Sequence, residues 1–195
     1  MLNRPNNGMA DTGSGSDLAT GKSAGPVSDL DAFARLLASH DSATRALHEW
    51  CRARGIADRA IIRVEHTGKG EEAAVPAGTL RTLLEIDEAE PLGYRHVRLL
   101  CGDITMSVAH NFYVPCRLTT AMNATLDTSD TPFGIAVEAL RFTRERLDPV
   151  EGATPGCPGD TVLSQSALLR RTDRQPISLV IECYTPAILA PPVPR

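Results

Sequence analysis

No stretch of this sequence approaches the roughly 20 consecutive apolar residues that a membrane-crossing helix needs. The N-terminus also lacks the apolar centre of a secretory signal. Neither a membrane span nor export is expected, which places the protein in the cytoplasm. Positive charge is not in excess: 20 basic residues face 24 acidic ones, and a net charge of -4 gives no global pull on nucleic acid. Ligand spacings such as C-x-x-C or H-x-x-x-H are missing and the five histidines are scattered, so no metal is predicted. The five cysteines, at 51, 101, 116, 157 and 183, are odd in number and far apart. They read as small core residues rather than a disulfide framework.

What is present is a polar tail followed by enough apolar residues, 42% of the 195, to build one core. Residues 1–27, rich in Gly, Ser, Asn and Thr, are expected to be a disordered tail, and 28–190 a single domain. Ser28 or Asp29 caps a first helix carrying Leu30, Phe33, Leu36 and Leu37. Asp41 or Ser42 caps a second, with Ala43, Leu47, Trp50 and Cys51 on one stripe and Gly55 at its end. Leu80, Leu83 and Leu84 mark a third, Thr119 opens a fourth around Met122 and Leu126, and Thr131-Pro132 opens a fifth.

The strand signals are alternations. Residues 60–65, 94–101, 104–114, 140–147, 162–170 and 177–185 read as six strands, with Gly102-Asp103 short enough for a hairpin and Gly68-Lys69-Gly70 as a turn. Together they predict an α+β fold, a single twisted antiparallel sheet of about six strands with helices packed on one face. In the last strand Ile177, Leu179, Ile181 and Cys183 alternate with Ser178, Val180, Glu182 and Tyr184, so Glu182 stands on the face away from Cys183. His96 and Arg98 share a face of an earlier strand, with Arg95 on the other, and are expected to look into one cavity with Glu182. Asn111 sits on a strand face with Thr105, Ser107 and Tyr113. Arg144 and Arg146 read as a solvated strand face, and the Pro- and Gly-rich loop over 148–160 as mobile and function-bearing.

The order of landmarks resembles the chorismate pyruvate-lyase family. These are Asp41-Ser42-Ala43-Thr44, Leu99-Leu100-Cys101, Val114-Pro115, Thr131-Pro132-Phe133-Gly134 and Ile181-Glu182-Cys183-Tyr184-Thr185-Pro186. The likeness covers roughly residues 40–188. It implies loss of pyruvate from chorismate to give 4-hydroxybenzoate, needing neither cofactor nor metal, with Glu182 as the catalytic carboxylate. It also implies that the Phe133 amide contacts the substrate carboxylate. The family's arginine falls on His96 here, with Arg98 the substitute, and its pocket-closing methionine on Ala43. Apart from the resemblance, Asn111 and Tyr113 are expected from their shared strand face to lend hydrogen bonds to the same cavity.

Two functions follow. One is a monomeric carbon–oxygen lyase of ubiquinone biosynthesis acting on a chorismate-like dianion. The other is a non-catalytic domain that binds an aromatic acid, since the fold is shared with ligand-sensing domains of bacterial transcription regulators. Those domains normally follow a DNA-binding helix-turn-helix, which the first 40 residues are too polar to hold.

Overall fold

A computed structural model describes residues 28–67, 75–147 and 149–191. The tail expected over 1–27 and the turn expected at Gly68-Lys69-Gly70 lie outside the described residues. The α+β architecture is the one the alternation predicts, a single open antiparallel sheet. Its strands are β1 (Ile62–His66), β2 (Gly93–Cys101), β3 (Ile104–Tyr113), β4 (Thr143–Arg146), β5 (Val150–Glu151), β6 (Leu163–Arg170) and β7 (Pro176–Tyr184). They are arranged β1-β2-β3-β7-β6-β4, with β5 pairing to β6. The two-residue β5 is the addition to the expected strands and falls inside the predicted 148–160 loop.

Helix starts follow from local chemistry. Ser28 Oγ accepts from the Asp31 amide at 3.1 Å to open α1 (Asp29–Ala38). Ser42 Oγ accepts from the Arg45 amide to open α2 (Ala43–Arg54), which ends at Gly55 with φ 61°. Thr119 caps α4 (Thr120–Thr128) in the same way, and Pro132 precedes the single turn α5 (Phe133–Ala136).

Register assigns the faces. Glu182 stands opposite Ala109 on one side and Gln165 on the other, and Ala109 stands opposite Val97. Their face is covered by α1 and α2 through Phe33, Leu47, Trp50, Met106 and Tyr184, and by α4 and α5 through Met122, Leu126 and Phe133. Phe33 meets Trp50 and Tyr184 edge-on at 5.2 and 4.9 Å, and truncating such a fully buried ring typically costs about 3–5 kcal/mol. The opposite face carries Phe112, Leu168, Leu179 and Ile181, packed against α3 (Ala77–Leu84) through Leu80 and Leu84. Four helices therefore share the Glu182 face and α3 stands apart on the other.

The cysteine reading needs correction. Cys51 of α2 is bonded to Cys101 of β2, and Cys157 to Cys183 of β7, leaving Cys116 free. Partners 50 and 26 residues apart are brought together by the sheet and by the 152–161 segment, which spacing along the chain does not reveal. The arginines of β4 are corrected too: Arg144 is 6% exposed at its side chain and turned inward.

Candidate functional site

β7 runs between β3 and β6, so Glu182 has a strand on each side and its side chain rises into the space beneath α2 and α5. The carboxylate is almost covered, and a buried charge must find partners. Arg144 Nη2 and the Tyr184 hydroxyl, the latter at 2.9 Å, both donate to the same oxygen, Oε2. Burial works against charge on Arg144, but the Glu182 carboxylate outweighs it and holds the guanidinium pKa above its ordinary value. Burial, with the same carboxylate beside it, pushes the Tyr184 phenol well up, so Tyr184 acts as a fixed donor.

Next to this cluster lies a cavity of about 50 Å³. Ala43 and Thr44 at the start of α2, Phe133 and Gly134 in α5, and Val97, Ala109 and Val180 on the sheet give it a largely apolar wall. Its polar groups are Glu182, Arg144, Asn111 and Arg95, with Asp41, Ser42 and Thr44 where α2 begins. Arg95 and Asn111 stand directly opposite each other on β2 and β3. The Asn111 amide, 4% exposed, has no hydrogen-bond partner among the described residues.

Arg95 is 5% exposed, and its guanidinium donates to the carbonyls of Ser129 and Thr131 at 3.1 Å each and to Nε2 of His66 at 2.7 Å. Its Nε is buried without a partner, and no carboxylate lies within ion-pair distance of it among the described residues. Burial lowers its pKa, with Tyr113, Asp130 and Asp127 pulling the other way. Because the two carbonyls belong to the turn leading into α5, Arg95 also fixes where Phe133 enters the cavity wall.

Of the residues anticipated for one cavity, Glu182, Asn111, Phe133 and Ala43 are brought together. His96 and Arg98 are not, and this is a correction. Val97 shares the Glu182 face through Ala109, so alternation sends His96 and Arg98 to the other side of the sheet. There Arg98 is exposed and pairs with Glu65 at 3.0 Å. The His96 ring stacks on His110 at 4.4 Å, and its Nδ1 lies 2.6 Å from Thr67 Oγ1. Arg95 and Arg144 are the functional candidates that sequence reasoning passed over. Each stands in an alternating strand; the missing signal was the phase between strands that do not touch. Among the described residues no group of three or more His, Cys, Asp or Glu is placed to hold a metal ion.

No family model matches the sequence. Among solved structures, PhnF from Mycobacterium smegmatis is similar at a TM-score of 0.54 and 12% identity, over 77% of this chain and 66% of that one, just under two thirds. The effector domain of PhnF is similar at 0.52 and 11%, over 74% of this chain and 88% of that one. Identities this low establish the fold. The expectation of a carbon–oxygen lyase is corrected by them: the solved structures that share the fold are PhnF and its effector domain, and likeness to them lends an enzymatic role no support. A relative in Sinorhizobium fredii (strain NBRC 101917 / NGR234), the uncharacterized protein y4mC, is 38% identical over 194 residues, spanning 87% of this chain and 81% of the relative. With that identity sustained over most of both sequences, the chain belongs to the y4mC family.

Proposed function

We propose that residues 28–190 form a non-catalytic binding domain for a small aromatic acid, with the cavity around Arg95, Asn111 and Glu182 as its site. The observation that carries this reading is Arg95, a buried cation with no carboxylate partner among the described residues beside an apolar cavity. Asp127 and Asp130 act on it only from beyond ion-pair distance, and a ligand carboxylate would supply a direct counter-charge. Asn111 would donate to the same group. Glu182 uses Oε2 for Arg144 and Tyr184, which leaves Oε1 to accept from a ring hydroxyl. Phe133 and Ala43 would close over the ring, with the Phe133 amide near the carboxylate.

The cavity of about 50 Å³ is smaller than the roughly 150 Å³ that holds a benzene-sized guest, so a ring must displace something. Phe142 and Arg144 border it at the start of β4, a four-residue strand paired only to β6 among the described strands. That edge strand, tied to the site through Arg144, is where the domain would respond to its ligand. The fold shared with an effector domain agrees with a binding role. Calorimetric titration of the purified protein with 4-hydroxybenzoate, benzoate and cyclohexanecarboxylate tests the reading. Saturable binding of the aromatic acids, strongest for the hydroxylated one, is expected; no heat from any of them would overturn it.

A further inference from the structure

The sheet face away from Arg95 carries a second feature. A groove of about 460 Å³ is bordered by Thr67, His96, Arg98, His110, Gly156 and Cys157. The 152–161 segment forms one side of it and is fastened in three ways. Cys157 is bonded to Cys183 of β7. Gly156 O accepts from His110 Nε2 at 3.0 Å. Ser164 Oγ takes the Thr154 amide at 3.2 Å and donates to Gly152 O at 2.6 Å.

The two disulfides differ in access. Cys51 and Cys101 are both 0% exposed inside the main core. Cys157 is half-buried and borders the open groove, while Cys183 beneath it is covered. A thiolate can therefore approach Cys157 Sγ from the groove but cannot reach either sulfur of the other bond without unfolding. Chemistry around Cys157 suits exchange as well. The Thr154 hydroxyl stands 3.5 Å from its sulfur and Arg98 lines the same groove, so a thiolate at Cys157 has a hydroxyl donor beside it. Accessible disulfides that survive in reducing compartments are mostly catalytic or redox-sensing.

We propose that the Cys157–Cys183 bond is a reversible redox site, opened by a dithiol reductant arriving through this groove, and that its opening releases the 152–161 segment from His110. One thiolate of the reductant attacks Cys157 Sγ, the S–S bond breaks, and its electron pair leaves on Cys183 Sγ, which takes a proton from solvent. The second thiolate of the reductant then attacks its own sulfur in the mixed disulfide, and Cys157 departs as a thiolate and is protonated. Two electrons pass from the dithiol, which ends as a disulfide, to the protein, which ends with two thiols. The site is on the opposite face from the Arg95 cavity and its test contains no aromatic acid, so the two readings stand or fall separately.

The experiment uses the full chain purified in air and exposed to limiting dithiothreitol at neutral pH. Samples are quenched in acid, alkylated under denaturing conditions and mapped by peptide mass spectrometry, with backbone hydrogen exchange followed in parallel. Cys157 and Cys183 should become alkylatable at least about tenfold faster than Cys51 and Cys101, while the cooperative thermal melt persists. Exchange should rise across residues 154–161. Cys157→Ser should show that faster exchange without reductant, and Cys116→Ser should change neither readout. Absence of the 157–183 crosslink in the air-purified protein overturns the proposal. So does simultaneous opening of both bonds with loss of the melt, or exchange over 154–161 that ignores reduction.

Discussion

Arg144 and Tyr184 meet on a single oxygen of Glu182, so this buried carboxylate of the cavity is held from β4 and from its own strand at once. A buried pair of this kind is a constraint on partners more than a source of stability, because desolvation takes back much of the Coulomb gain.

Removing either charge alone strands the other. Glu182→Gln leaves Arg144 buried without its counter-ion and should destabilise the fold by about 3 kcal/mol, with Arg144→Met similarly harmful. The double variant should recover most of that loss, since Met and Gln leave no orphaned charge and the Tyr184 hydroxyl still finds an amide oxygen. Urea midpoints of the four proteins in a double-mutant cycle measure this; a double variant as unstable as the sum of the singles would refute it.

Arg95 and Arg98 are three residues apart on β2 and face opposite ways, which makes them a controlled pair. Arg95→Met should lower affinity for 4-hydroxybenzoate at least about tenfold, the loss of one charge-assisted contact. Its effect on stability should stay within about 2 kcal/mol, because three hydrogen bonds are lost while a buried unpaired charge is relieved. Arg98→Met should leave affinity unchanged and stability within about 0.5 kcal/mol, as expected for one side of an exposed ion pair. Calorimetric titration and urea unfolding of both variants separate the outcomes, and an affinity loss in Arg98→Met would place the ligand on the wrong face.

What could be read from the sequence were the features set by neighbours along the chain. Caps at Ser28, Ser42 and Thr119, the end at Gly55, and the alternation in β2, β3, β6 and β7 are local, and the structure has each of them. Glu182, Phe133 and Ala43, from the ordered landmarks, line one cavity together with Asn111, which was read from its strand face. The failures share one cause. Alternation fixes which residues of one strand share a face but not which faces of β2 and β7 coincide, because that passes through the register of β3 between them. One step in that phase exchanges Arg98 for Arg95. Arg144 was misread because a four-residue edge strand with charges at three positions looks solvated until its neighbour Glu182 is known. The disulfides are long-range pairings that spacing cannot fix.

Gly93 opens β2 directly opposite Tyr113, whose ring lies over it: a Cβ on residue 93 would fall 2.4 Å from that ring. Tyr113 in turn packs on Phe133 at 5.6 Å between ring centres, so displacing it disturbs the cavity wall. Gly93→Ala should lose about 1–3 kcal/mol from overpacking, and Tyr113→Leu in the same protein should restore part of it. Thermal midpoints of the single and double variants are the measurement. An unchanged midpoint in Gly93→Ala would mean that the ring does not sit over residue 93 in solution.

His110 is the group whose titration should govern stability on the groove side. Burial, with His96 stacked beside it, lowers its pKa to about 4, while its hydrogen bond to Gly156 O pulls the other way. In the unfolded chain an ordinary histidine titrates near 6.5, so between about 6.5 and 4 the unfolded state binds more protons than the folded one. Stability from this group is therefore complete above about pH 6.5, falls as the pH drops through that window, and is flat below about 4. The slope approaches about 1.4 kcal/mol per pH unit, for a total of about 3 kcal/mol. Burial lowers the His96 pKa as well, so it adds to the same trend. His110→Gln, which retains a donor for Gly156 O, isolates the His110 share. Urea midpoints from pH 4 to 8 should run parallel for the variant and the parent above about 6.5, and the parent should lose stability relative to the variant as the pH falls from 6.5 toward 4. Parallel profiles at every pH would show that His110 titrates alike in the folded and unfolded chains.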